Sequence, residues 1–316
     1  VPHASASKIA SKPTAERPPR DARLSGLMLV PEEAKTQSAR PRLALGQPTT
    51  RRWSMSDDLA AIENCRLDAL ALWNGKFRSR SRRQVAREVR RSGVAVSSLS
   101  WVGGFTQGDE FDRRQACFEA LEAIKLAAEV GAKCVCVATG GNGCFTERHA
   151  AKNLIPGTLQ KLAAYAAEFD VSIAVQPLPG HLSRNSVVRS VSDTLTLLER
   201  VDRPNVGMAF PTLLMATDHS LVNRVHEFAD AVKVVKLSDC RVSGARGERR
   251  GPGQLPGHGS LPLATLIRRL GECGYGGDYE LDVWNRSAWE RQDHAASLRR
   301  TSRWFADLHD GADAAV

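Results

Sequence analysis

Four polar side chains sit near the downstream ends of short, β-branched runs: Gln176 in VSIAVQP, Lys236 in AVKVVKL, and Glu280 and Asp282 in DYELDVW. Glu280 and Asp282 are two residues apart, so on an extended strand both point to one side and can act as an acid/base pair. An ammonium such as Lys236 beside carboxylates can polarise a carbonyl or stabilise an enolate. Burial pushes its pKa down and neighbouring acids push it up. If burial dominated, the lysine would serve as a general base or a Schiff-base nucleophile. The bland alternative is a Lys236–Asp282 ion pair that fills space and does no chemistry. The Gln176 amide suits a hydroxyl on a ligand.

Lesser candidates lie around these four. Trp73 and Trp101 follow apolar runs and either wall a substrate pocket or pack at a rim. Asp239, three residues after Lys236, either orients Lys236 or Gln254 or is an ordinary turn residue. The stretch RVSGARGERRGPGQLPGHG gathers Arg246, Arg249, Arg250 and His258 as candidates, or is a solvated loop. Cys134 and Cys136 share a strand face, but a C-x-C without further ligands reads as core. His149 reads as a surface or capping residue, and GGNG at 140–143 as a tight loop.

What must position these groups is a repeating unit. A short apolar run, a polar turn and a helically spaced segment recur from residue 41 onward. The runs are 42–46, 68–73, 94–100, 133–139, 171–177, 205–210, 231–237 and 278–284; the helical segments are 55–65, 80–91, 110–130, 148–168, 189–200, 217–229, 260–273 and 288–309. Within 110–130, Cys117, Leu121, Ile124 and Ala128 fall on one stripe and Gly131 supplies the stop. Eight such units predict a (β/α)8 TIM barrel, an α/β fold with its chemistry at the C-terminal ends of the strands. An open doubly wound sheet is the rival, and GQPTTRRW after the first run lacks its glycine fingerprint. Strand parity sends Ile173, Val175, Met208, Phe210, Val235, Leu237, Tyr279, Leu281 and Val283 toward the helices. It sends Gln176, Pro211, Lys236 and Asp282 to one rim, with Glu280 and Trp284 also facing the axis.

Composition agrees with a globular protein: 42% hydrophobic and 25% charged residues over 316 positions. The net charge of +9 is concentrated in residues 1–52 and in KFRSRSRRQVAREVRR at 76–91. The first reads as a disordered basic extension over 1–40 preceding a barrel domain at 41–316. The second reads as a solvated helix face, without the interleaved aromatics of a nucleic-acid surface. Apolar stretches are too short to span a bilayer. Seven cysteines at irregular spacing suggest reduced thiols and a cytoplasmic setting.

From about residue 41 to the end the chain resembles the xylose-isomerase-like family of sugar-phosphate isomerases and epimerases. That family also includes hydroxypyruvate isomerase, inosose and 3-dehydroshikimate dehydratases, and endonuclease IV. The resemblance is carried by RLALGQPTTRRWS, DALALW, SGVAVSSLSWVGGFT, AIKLAAEVGAKCVCVATGG, IAVQPLP, NVGMAFPTLL, VVKLSD and LPGHGSLPLATLIRRLGECGYGGDYELDVW. It implies proton movement beside a carbonyl of a small hydroxylated compound: isomerisation, epimerisation or dehydration. It also implies a divalent metal held by Glu, Asp, His or Gln, and Glu at the ends of strands five to eight. In this chain those positions hold Gln176, Pro211, Lys236 and Asp282. Leu214 replaces a further family histidine, and Pro179 another, with His181 nearby.

Proline offers no side-chain donor and a lysine ammonium has no lone pair, so a single short carboxylate is left to hold a cation. The expectation is therefore no metal and no cofactor. Metal-independent proton transfer would use Lys236, Asp282, Glu280 and Gln176, with Trp73, Trp101, Asp239, Arg250 and His258 binding the substrate. The alternative is a non-catalytic ligand-binding or scaffolding barrel. The expected partner is a small molecule, with no nucleic acid and no membrane, and a homodimer is possible.

Overall fold

The computed structural model describes residues 40–106, 109–141, 148–178, 186–243, 248–290 and 293–313. Eight parallel strands close into a barrel: β1 (Leu43–Gly46), β2 (Ala69–Trp73), β3 (Val96–Gly103), β4 (Cys134–Ala138), β5 (Ser172–Val175), β6 (Val206–Pro211), β7 (Val232–Leu237) and, after an antiparallel hairpin β8 (Asp239–Ser243) and β9 (Glu248–Gln254), β10 (Tyr279–Leu281). β10 pairs with both β7 and β1, which completes the ring. The helices are α1 (Met55–Asn64), α2 (Arg82–Ser92), α3 (Glu110–Val130), α4 (Arg148–Ala167), α5 (Val191–Val201), α6 (Leu263–Glu272), α7 (Arg286–Trp289) and α8 (His294–Asp313). The chain is thus the (β/α)8 barrel that its repeating pattern predicts. The extension read over 1–40 lies outside the described residues, except for Arg40.

Local chemistry starts and stops the helices. Ser54 and Ser81 cap α1 and α2 with reciprocal bonds to Asp57 and Gln84, and Asp109 does the same for α3 through Asp112. Gly93 and Gly131 end α2 and α3 at φ 68° and 73°, where a side chain would be strained. In α6, Leu263, Leu266, Ile267 and Leu270 form the buried stripe.

The core has two layers. Ile173, Val175, Met208, Phe210, Val235, Leu237, Tyr279, Leu281 and Val283 pack in the layer between strands and helices, as parity requires. Inside the ring, Cys134, Cys136, Ala174, Ala209 and Val234 form a separate small cluster against Trp101. Small side chains leave room on the axis for the polar groups above them.

Three stretches differ from the pattern. Segment 217–229 is not an α-helix: it holds 3-10 turns at His219–Asn223 and Val225–Glu227, flanked by others at Thr212–Ala216 and Ala229–Ala231. Its buried Val222, Val225 and Phe228 recur every third residue, the 3-10 period, and the Asp218 side chain caps Ser220 and restarts the chain. The long loop after β7 contains the β8–β9 hairpin, with Asp239 opposite Gln254 and Arg241 opposite Arg250. The last helical segment is divided into the short α7 and the long α8.

Candidate active site at the barrel mouth

β3 departs from regular alternation twice. Between Leu70/Val96 and Leu72/Leu99 it gains one residue on β2, and between Leu99/Val135 and Val102/Val137 it gains one on β4. Such bulges re-aim side chains. Here they bring Ser97, Ser98, Ser100 and Trp101 all to groups on the barrel axis. The Ser97 hydroxyl donates to Glu280 Oε1 at 2.7 Å, and Lys236 Nζ donates to Ser98 Oγ at 3.4 Å and Ser100 Oγ at 3.1 Å.

Lys236 meets Glu280, not Asp282. The two are register partners across β7 and β10, and the ammonium donates to Glu280 Oε2 in a buried ion pair, with side chains only 3% and 0% exposed. Asp282 is two residues further along, where no β7 residue is in register. Burial is the largest single influence on Lys236 and pulls its pKa down. Cys136, Glu280 and Asp282, with the Glu280 hydrogen bond, together outweigh burial, so Lys236 titrates above the ordinary lysine range. A lysine that keeps its proton is a fixed cation and not a nucleophile.

Asp282 occupies the next layer up. Its Oδ1 accepts from Trp284 Nε1 at 2.9 Å and its carboxylate accepts from the Gln176 amide. The carboxylate is packed among protein groups, yet the residue retains some solvent contact, unlike Lys236, Glu280 and Gln176. Burial lifts its pKa above the usual carboxylate range, Lys236 opposes this in part, and Glu280 adds to it. Gln176 Oε1 in turn accepts from Trp101 Nε1 at 2.5 Å.

Tryptophans form the rim. Trp101 and Trp284 stack with centroids 5.3 Å apart and planes 12° from parallel. Trp73 and Trp289 meet Trp284 edge-on at 5.3 and 6.2 Å. Behind Trp73 lies a second buried polar group. Asp58 accepts from Gln47 Nε2 (2.8 Å), Thr50 Oγ1 (2.6 Å) and Lys76 Nζ (2.6 Å), while Gln47 Oε1 accepts from the Trp73 backbone N–H at 2.9 Å. Burial is the leading cause for both ions, raising Asp58 and lowering Lys76.

The structure therefore gathers Gln176, Lys236, Glu280, Asp282, Trp73 and Trp101 at one end of the barrel. It does not bring Asp239 or His258 to them. Both Asp239 oxygens are taken up by backbone N–H groups: Cys240 and Leu261 on Oδ1 at 2.8 and 3.1 Å, Gly257 and Gly259 on Oδ2 at 3.1 and 2.9 Å. Asp239 ties down the 255–261 turn, and a carboxylate so occupied has no lone pair left for Lys236 or a substrate. His258 is exposed on that turn. Arg250 is on β9 and its side chain, like Arg246, His149, Pro179 and His181, lies outside the described residues. Sequence reasoning missed the serines of β3, Arg51 and Trp289. The one available signal was SSLS, a polar run inside an otherwise apolar strand.

A closed eight-stranded parallel barrel, its polar residues converging at the C-terminal strand ends, defines a TIM barrel with the site geometry of that class. The chain belongs to the xylose isomerase-like TIM barrel family, whose model matches residues 59–308. It is 28% identical over 219 residues to xylose isomerase from Thermus caldophilus, an alignment covering 67% of this chain and 56% of that protein's length. Among solved structures it is similar to an IolI protein with a bound zinc atom (TM-score 0.70, 16% identity, 84% of this chain and 96% of that one). It is also similar to the 3-keto-D-glucoside 4-epimerase of E. coli (TM-score 0.66, 15% identity, 84% and 99%). At these identities the likeness is one of fold.

The family resemblance implies a divalent metal, and the donor set present does not suit one. Gln176 and Asp282 are bonded to each other, Pro211 has no donor, and the Lys236 ammonium points into the same interior. Among the described residues no group of three or more His, Cys, Asp or Glu side chains is arranged to hold a metal ion.

Proposed function

We propose that the barrel binds a small hydroxylated keto compound, a sugar or sugar derivative, and moves a proton beside its carbonyl without a divalent metal. Isomerisation or epimerisation is the reaction class. The observation that carries this reading is Asp282: the packed carboxylate of a half-buried residue, with a raised pKa, beneath tryptophan walls and backed by the Lys236 ammonium, which its acidic neighbours keep protonated against burial.

Trp73, Trp101 and Trp284 suit the apolar C–H face of a sugar ring or chain. The Asp282 carboxylate takes the proton from the carbon beside the carbonyl. The C–H electron pair moves into the C–C bond and the carbonyl oxygen gains the negative charge. Protonation of the same carbon from the opposite face by a solvent proton, with Asp282 giving its own proton to solvent, gives an epimer. Transfer of the Asp282 proton to the former carbonyl carbon, with the neighbouring hydroxyl proton passing to the enolate oxygen as that hydroxyl becomes the new carbonyl, gives an isomer. The field of Lys236 reaches Asp282 and outweighs that of Glu280 there, so it also opposes the charge of the enolate. Gln176 and the Trp284 indole hold the carboxylate and do not react.

Exchange of the carbon-bound proton in heavy water, followed by NMR over a panel of ketoses with chelator present, tests this. The wild type should exchange, and Asp282→Asn should lose about a hundredfold or more of the rate. An Asp282→Asn variant that exchanges as fast as wild type overturns it. A second reading, a ligand-binding barrel without catalysis, is favoured by the internal pairing of Gln176, Lys236 and Glu280. Tryptophan quenching by a ketose in a wild type that exchanges no proton would select it.

A further inference from the structure

Arg51, in the turn between β1 and α1, stands at the mouth among the tryptophans. Its guanidinium carbon lies 5.7 Å from the Trp73 ring centroid and 5.2 Å from that of Trp289. Both rings touch Trp284, whose indole holds Asp282. The neighbouring Arg52 is neutralised by Glu290 at 2.9 Å. Arg51 has no carboxylate partner among the described residues, and it is exposed. Ring contact keeps the guanidinium near the two tryptophans and takes up none of its five N–H donors. A planar, permanently charged fork kept at the mouth by two rings, with its donors free, matches a phosphate or a carboxylate in two-point geometry.

From this geometry we infer that Arg51 is the anion-binding residue of the mouth, and that the ligand carries a phosphate or carboxylate in addition to its hydroxyls. The inference rests on the mouth being the ligand site, as proposed above, but not on turnover there. The anion binds outside the Trp73–Trp289 pair, and the remainder of the molecule extends inward across Trp284 toward Asp282. Its contacts with Arg51 are charge-assisted hydrogen bonds, and no covalent step involves them.

The test is fluorescence titration of the full chain with xylulose, xylulose 5-phosphate, fructose and the keto acid fructuronate. Each is measured on wild type, Arg51→Gln and Arg51→Lys. An anionic probe should bind wild type about ten- to a hundredfold more tightly than its neutral parent. Arg51→Gln should erase that preference and leave neutral-sugar affinity unchanged, and Arg51→Lys should keep part of it. Preference for xylulose 5-phosphate alone identifies a phosphate, and preference for fructuronate alone a carboxylate. Equal affinity for charged and neutral probes in wild type, including no binding of either, overturns the inference. So does an Arg51→Gln variant that loses both equally, because that marks a structural role. Asp282→Asn should retain the anion preference. Preference without proton exchange in wild type would leave Arg51's role intact and remove the isomerase reading alone.

Discussion

Lys236→Met is the most informative perturbation of the barrel interior. Glu280 is fully buried and accepts only from Lys236 and Ser97 in the described structure. Removing the ammonium leaves a carboxylate in the protein interior with a single hydroxyl donor. Breaking a buried ion pair from one side costs about 3–5 kcal/mol, because the remaining charge is uncompensated. With a urea m value toward the upper end of about 1–3 kcal/mol/M, the unfolding midpoint falls by roughly 1–2 M. Replacing both partners, as in Lys236→Met with Glu280→Leu, removes the stranded charge as well. The double variant should lie within about 2 kcal/mol of wild type, since a buried pair is often no better than packed apolar groups. Equilibrium urea unfolding followed by tryptophan fluorescence measures all three proteins. The reasoning is refuted if Lys236→Met loses less than about 1 kcal/mol, or if the double variant is as unstable as the single one.

Further outcomes follow from the same geometry. Asp239→Ala should release four backbone N–H groups of the hairpin base and the 255–261 turn, costing about 2–4 kcal/mol, and limited proteolysis should cut there first. Cleavage unchanged from wild type would refute this. The raised pKa of Asp282 means the folded chain binds that proton more readily than the unfolded chain. Its contribution is whole below the ordinary carboxyl value of about 4 and is lost as pH rises through the folded value. Asp282→Asn should therefore gain thermal stability relative to wild type between pH 4 and pH 7, and a constant difference in Tm would contradict it. Calorimetric titration with Mn2+ or Zn2+ should show no stoichiometric site in wild type. Gln176→Glu combined with Pro211→Asp and Lys236→His restores carboxylate and imidazole donors and should create one.

Most of the barrel was legible because period and parity are local properties. The alternation in VSIAVQP and DYELDVW is enough to sort Ile173 from Ala174 and Leu281 from Asp282, and the two core layers confirm that sorting. What escaped depends on register. Lys236 and Glu280 are partners because β7 and β10 align them, an offset set by packing around the whole ring and written in neither strand. The hairpin at 239–254 and the 3-10 turns at 212–231 have short, irregular apolar spacing that a helix or loop template absorbs. Asp239 was visible as a conspicuous acid, but its partners are backbone N–H groups, which every sequence contains. Arg51 was indistinguishable from Arg52 until Trp73 and Trp289, from opposite ends of the chain, were brought around it.

The two extra residues in β3 make its length as consequential as its composition. A single deletion anywhere from Ser97 to Trp101 would remove one of the two irregularities, leave the other, and turn part of that run from the axis toward the helices. The ammonium would then lose hydroxyl acceptors that no replacement elsewhere on the strand could return. In a library containing both, one-residue deletions across this pentapeptide should be eliminated by selection for folding, while serine-to-alanine exchanges persist. This strand records its history in how many residues it has more than in which ones.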